Sequence, residues 1–173
     1  KTTNRNPRST VGTTTEIYDY LRLLFSRAAD AYSYLSGEKM VKYTEEQILN
    51  LILNDYDGKR IYMLAPLVRN RKGHYKELFE QMMRKGYLNV RIDGEMCEMS
   101  RGMMLERYKN HDIEVVIDKL VVDAKDTQRL KQSVATTLQQ GEGLVMIMEM
   151  PSGTVRHYSK HLMCPVTGLS YKE

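Results

Sequence analysis

The sequence predicts an α+β domain: a β-α-β-β-α-β unit, ferredoxin-like or a related arrangement, its sheet carrying helices on one face and preceded by two further helices. Three observations predict it. Between residues 61 and 150 the apolar spacing switches repeatedly between a period of two and a period of 3.6. Upstream of that stretch, two capping-box patterns each lead into a helical apolar stripe. Within it, Asp93-Gly94 ends the alternating run 87–93 with the residue pair of a tight hairpin turn. Elements in that order pack most simply as a four-stranded antiparallel sheet with both internal helices on one face.

Taken in order, residues 1–12 read as extended or loop, with Asn6-Pro7 opening a turn and Gly12 closing it. Thr13-Thr-Thr-Glu16 caps a helix carrying Ile17, Leu21, Leu24, Phe25 and Ala28 on one side and Asp19, Arg22 and Arg27 on the other. After a turn at Gly37, Thr44-Glu-Glu-Gln47 caps a second helix bearing Ile48, Leu49, Leu51, Ile52 and Leu53, which ends at 54–58. Ile61–Val68 reads as a strand weakened by Pro66, and Arg69-Asn-Arg-Lys-Gly73 as a basic loop. Tyr75, Leu78, Phe79, Met82 and Met83 form a helical stripe that stops at Gly86. Tyr87–Asp93 alternates, with Leu88, Val90 and Ile92 on one face and Asn89, Arg91 and Asp93 on the other. Residues 96–111 read as irregular, Ile113–Val122 as a strand, Asp126–Gln140 as a helix with Leu130, Val134 and Leu138 inward, and Leu144–Met150 as a last strand. Pro151-Ser-Gly153 then turns the chain into a short tail.

Composition narrows the function classes. Apolar residues make up 42% of the 173, enough for a buried core, and 28% are charged. No apolar run approaches the ~20 residues that span a bilayer, and the polar start does not read as a signal peptide. Two cysteines are too few for a disulfide framework, so a reducing cytoplasm fits best. Twelve Tyr and twelve Met against two Phe and no Trp suit partner-facing surfaces, although Met also fills cores. A net charge of +4 permits nucleic-acid contact without requiring it. The chain opens without Met and stops at Tyr171-Lys-Glu, which reads as an excised piece of a longer protein.

Catalytic signatures are missing from the sequence. It contains no GxxxxGK[ST], GxGxxG, GxSxG or HExxH pattern. Asp118 and Asp123 are placed to face opposite sides, which suits salt bridging better than paired-carboxylate chemistry. His157, His161 and Cys164 have metal-ligand types, but a zinc knuckle wants a second cysteine where Thr167 stands, so no metal ligand is assigned.

A sheet with helices on one side leaves its other face for a ligand, a nucleic acid or a protein. Asn89, Arg91 and Asp93 are expected there; a solvated face is the plain alternative. Arg69, Arg71 and Lys72 are read either as a solvated loop or as contacts to an acidic partner. A single-strand-binding sheet would show stacking aromatics along its central strands, and 87–93 shows Asn, Arg and Asp instead.

Several longer stretches resemble the UvrA family, the damage-sensing ATPase subunit of bacterial excinuclease ABC. They are Lys1–Thr13, Thr15–Phe25, Leu64–Gly73, Gly86–Gly94, Ile113–Val122 and Lys160–Pro165. The resemblance covers nearly the whole chain. It implies that 1–30 is an edge of the signature ATPase domain, 31–155 a UvrB-binding domain, and 156–173 the return into the signature domain with the start of a degenerate zinc module. It implies UvrB and the transcription-repair coupling factor as partners, with DNA reached through the full-length protein. No cofactor is expected in this piece, whereas ATP and zinc belong to the full-length family. Partner contacts are implied at Asn89, Arg91, Asp93, Asp118, Lys119 and near Ala135; Arg5, Asn6, Arg8, Ser9 and Thr10 are read either as DNA contacts of the intact protein or as ordinary loop caps. The family usually carries a basic residue at 89, Arg at 119 and an acid at 135, and a Cys-Pro-x-His-Gly turn where 31–37 reads Ala-Tyr-Ser-Tyr-Leu-Ser-Gly. These departures leave two function classes open: a protein-docking module, or a nucleic-acid-binding module of a divergent paralogue that no longer binds UvrB.

Overall fold

The computed structural model describes residues 11, 15 and 17–171. The capping box expected at Thr13–Glu16 and the DNA-contact candidates Arg5, Asn6, Arg8, Ser9 and Thr10 depend on residues outside that set. Helix α1 (Ile17–Ala28) forms as its apolar spacing predicts. Its Ile17, Leu21, Leu24 and Phe25 are all exposed, so α1 adds nothing to the core of this chain.

Helix α2 (Glu45–Tyr56) starts at the second expected capping box. The Gln47 amide donates to Thr44 Oγ1 at 3.2 Å and the Thr44 amide to Gln47 Oε1 at 2.8 Å. Thr44→Ala removes half of that exchange and is expected to cost ~1 kcal/mol, read as a lower urea midpoint at unchanged slope.

The sheet is antiparallel throughout and six-stranded, in the order β3-β2-β4-β1-β5-β6. Its strands are β1 (Arg60–Lys72), β2 (Asn89–Ile92), β3 (Glu95–Glu98), β4 (Asn110–Val121), β5 (Leu144–Met150) and β6 (Val155–Ser159). Between β1 and β2 runs helix α3 (Lys76–Arg84), and between β4 and β5 runs α4 (Gln128–Gln140). Each crossover skips one strand: β4 lies between β1 and β2, and β1 lies between β4 and β5. This is the split β-α-β arrangement of the ferredoxin-like class, as expected, with the helices on one face.

The two outer strands were not expected. β3 lies in a segment read as irregular; it is an exposed edge on which only Cys97 is partly covered, so it carries no apolar alternation. β6 lies in the expected tail and pairs with β5 from Leu144↔Ser159 to Met148↔Val155. A separate pair, β7 (Leu162–Met163) and β8 (Ser170–Tyr171), follows it.

The basic loop expected at 69–73 is largely strand. β1 continues through Arg71↔His111 and Lys72↔Asn110 after register shifts near Pro66 and Val68. Pro66 is tolerated because β5 pairs only with Arg60–Leu64, leaving Pro66 where β1 has a neighbour on one side alone.

Apolar burial explains the layering. Ile48, Ile52 and Tyr56 of α2 and Leu130, Val134 and Leu138 of α4 pack on Ile61, Met63, Val145 and Ile147. Phe79 and Met82 of α3 pack on Ala65, Val90, Ile113 and Val115. A smaller cluster of Leu64, Val116, Met146 and Met148 occupies the opposite sheet face. No described helix is long and apolar enough to cross a membrane.

Two segments flanking the sheet are stitched together. Val41 and Met163 exchange backbone hydrogen bonds of 2.9 Å in both directions, and the Tyr43 amide donates to the Ser159 carbonyl at 2.8 Å.

Candidate protein-docking face

Strand alternation decides what the helix-free face presents. Pairing sets Tyr62 opposite Lys119, Pro66 opposite Glu114, and Arg91 opposite Glu114, all on the side away from Ile61, Met63 and Val115. Asn89, two residues from Arg91 in β2, shares that side. Lys119 Nζ donates to Asn89 Oδ1 at 2.7 Å and stands 5.1 Å from the centre of the Tyr62 ring. Lys119 is exposed and Asn89 half-buried, so one cation is displayed on a polar and aromatic base.

Arg91 is more enclosed. Its Nη1 lies 3.4 Å from Glu114 Oε2, with the two side chains 20% and 9% exposed, and its Nε is buried with no hydrogen-bond partner. Burial pushes the Glu114 carboxyl up to about 6 against the pull of Arg91 and Arg69. His157, reached from β6, is driven the other way to about 4, first by burial and then by the positive charges of Arg69 and Arg91. Neither Glu114 nor His157 stands among the expected site residues. The signal for Glu114 was an acid inside the apolar run Ile113–Ile117; His157 lay in the supposed tail.

The face is not open along its whole width. Arg69, expected in a loop, is a half-buried strand residue whose Nη1 donates to the Gly168 carbonyl. Gly168, at φ 67°, lies against His157 so closely that an added Cβ would stand 2.7 Å from the ring. The returning segment around Gly168 therefore covers the Arg69–His157 end. Arg71 and Lys72 remain exposed.

Two expected members point elsewhere. Asp93 was placed on the open face by alternation, but at φ 51° it belongs to the hairpin turn with Gly94 at φ 94°. Its carboxylate folds back to accept from the Asp112 amide at 2.9 Å and to meet His111 Nδ1 at 2.8 Å. Burial raises the Asp93 pKa, but those bonds outweigh it and hold the carboxyl below its ordinary value. Asp118 faces the helices, since neighbours in a strand point to opposite sides. It accepts from Arg129 Nη2 at 2.7 Å, Arg129 Nε at 3.1 Å and Ser133 Oγ at 2.6 Å. Burial raises its pKa, but these donors prevail and lower it. Asp118 thus fastens α4 to β4, while Lys119 faces out. Ala135 is exposed on α4, in the helix layer. Asn89, Arg91 and Lys119 come together; Asp118 and Ala135 do not join them.

His157, His161 and Cys164 do not converge. His157 sits beneath Gly168, His161 Nε2 meets the Glu142 carbonyl at 3.0 Å, and Cys164 Sγ meets Ser36 Oγ at 3.1 Å.

The profile of the UvrA interaction domain matches residues 44–151, from the cap of α2 to the end of β5. The chain belongs to the UvrA interaction domain family. Over its whole length it is 47% identical to UvrABC system protein A of Methanothermobacter thermautotrophicus, 46% to that of Bacillus subtilis and 41% to that of Thermus thermophilus. It spans 18% of the length of each of these relatives. Within this UvrA interaction domain the three grouped residues lie on β2 and β4, inside the matched range.

Proposed function

We propose that this chain is a protein-docking segment of a UvrA-like subunit in nucleotide excision repair, and that its helix-free sheet face receives UvrB. The observation that carries the reading is the cluster Asn89–Lys119–Tyr62 beside Arg91–Glu114, which displays an anchored cation on the one sheet face without helices. Pre-arranged charges of this kind give specificity and association rate more than raw affinity. Lys119 is a point donor rather than a planar fork, and it suits a single carboxylate on the partner. In the whole protein, ATP chemistry falls to regions beyond this chain, which acts in the cytoplasm without catalysing a reaction. The transcription-repair coupling factor competes for the same face, and DNA is reached through the full-length protein.

Calorimetric titration of the chain with UvrB from the same organism tests this reading. Lys119→Glu is expected to weaken binding about tenfold, mostly through slower association that high salt masks. Lys131→Glu, exposed on α4 in the helix layer, is expected to leave binding unchanged. Equal loss from both variants, or no UvrB binding by the unaltered chain, ends the proposal. Tight binding of DNA with a steep salt slope would favour the nucleic-acid module instead.

A further inference from the structure

Two short turns at the base of the domain are built alike, bond for bond. In one, the Ser33 amide donates to the Glu38 carbonyl and the Gly37 amide to the Ser33 carbonyl, both at 2.8 Å. In the other, the Cys164 amide donates to the Leu169 carbonyl at 2.8 Å and the Gly168 amide to the Cys164 carbonyl at 2.9 Å. The side chains repeat the match. Ser33 Oγ accepts from the Ser36 amide at 3.5 Å, and Cys164 Sγ from the Thr167 amide at 3.4 Å. Ser36 Oγ accepts from the Glu38 amide, and Thr167 Oγ1 from the Leu169 amide, both at 3.3 Å. Gly37 and Gly168 close the two turns at φ 71° and 67°.

Each turn therefore offers side chains at its first and fourth positions: Ser33 and Ser36 in one, Cys164 and Thr167 in the other. The turns face one another, since Ser36 Oγ lies 3.1 Å from Cys164 Sγ, and Ser33 and Cys164 are 2% and 0% exposed. Two facing turns, each with two residues between its ligand positions, are the frame of a tetrahedral zinc site. The donor set here does not fit one. Three of the four groups are neutral hydroxyls, whereas zinc takes thiolate, imidazole or carboxylate.

We propose that these turns form a metal-free clasp, in which the Ser36 hydroxyl and the Cys164 thiol join the incoming and outgoing segments at the point where a four-ligand metal would sit. The contact is enclosed: Cys164 is 0% exposed, and its Sγ also accepts from the Thr167 amide at 3.4 Å. It acts alongside the Val41–Met163 and Tyr43–Ser159 backbone bonds, which tie the same two segments.

The test compares the unaltered chain with a Ser33→Cys/Ser36→Cys/Thr167→Cys variant. The unaltered chain is expected to contain no stoichiometric zinc and to melt at the same temperature with and without chelator. The triple variant is expected to take up one cobalt(II) ion per chain with the absorption of a four-thiolate tetrahedral site. Zinc at one per unaltered chain, a melting point lowered by chelator, or a folded triple variant that takes up no cobalt overturns the proposal. Should the triple variant not fold, Ser36→Cys alone decides: in a chain with native circular dichroism it is expected to close a disulfide with Cys164 on mild oxidation, and failure to do so overturns the apposition of the turns.

Discussion

Phe79→Ala is expected to destabilise the chain by ~3–5 kcal/mol, the range for emptying a buried aromatic site. Phe79 is 1% exposed and packs with Ala65, Val90, Ile113 and Val115 of three central strands. Helix α3 is nine residues long and fully buries only Phe79 and Met82, with Leu78 and Met83 packed beside them. Short helices are marginal without tertiary packing, and the ring fills space among Ala65, Val90, Ile113 and Val115 that an alanine would leave empty. Urea unfolding monitored by circular dichroism measures the loss. Glu77→Ala, on the exposed side of the same helix, is the control and is expected to stay within ~0.5 kcal/mol. A loss below ~1 kcal/mol for Phe79→Ala would mean that α3 does not pack as described.

The second large effect is a loss of stability in acid through His157. Its folded pKa of about 4 lies below the ordinary value of 6.5, so the unfolded chain binds the proton more readily. Stability is then complete above pH 6.5 and falls as the pH drops toward 4, by ~3 kcal/mol at roughly 1.4 kcal/mol per unit. Glu114 runs the opposite way. Its pKa is raised from 4.5 to about 6, so the folded chain holds that proton and stability declines as the pH rises through this interval, by ~2 kcal/mol. The two slopes overlap and partly cancel in the unaltered chain. They separate in variants: His157→Gln is expected to show stability falling between pH 4.5 and 6, and Glu114→Gln to show it rising more steeply over the same range. Parallel curves for all three proteins would show that neither group is perturbed as argued.

The central fold was legible because burial there follows local periodicity. The stripe at Phe79 and Met82, the alternation at Asn89–Ile92 and the run Leu144–Met150 each put their apolar residues against a helix or sheet partner, as their spacing required. What failed to show were segments whose state depends on distant pairing. Arg69–Lys72 is four polar residues and looks like a loop; only Asn110 and His111, forty positions away, make it strand. β3 is an exposed edge with nothing to contrast across its faces. At the candidate site, alternation found Asn89 and Arg91 but failed at Asp93, where a left-handed turn takes over. The same alternation sends Asp118 and Lys119 to opposite sides of β4, whereas the family resemblance implies contacts at both. Ser33–Glu38 and Cys164–Leu169 share no residue identity beyond glycine, and their likeness is carried by matching hydrogen bonds.

The mutual backbone bonds of Val41 and Met163 have an architectural consequence. A pair exchanging both bonds sits ~5.5 Å apart at Cα, so the chain enters and leaves the segment 42–162 at two points about one strand spacing apart. A host fold could gain or shed such a pendant by opening a single surface turn, with no rearrangement of its own framework. Modularity of this kind follows from where the stalk is pinched, whatever the surface at the far end comes to recognise.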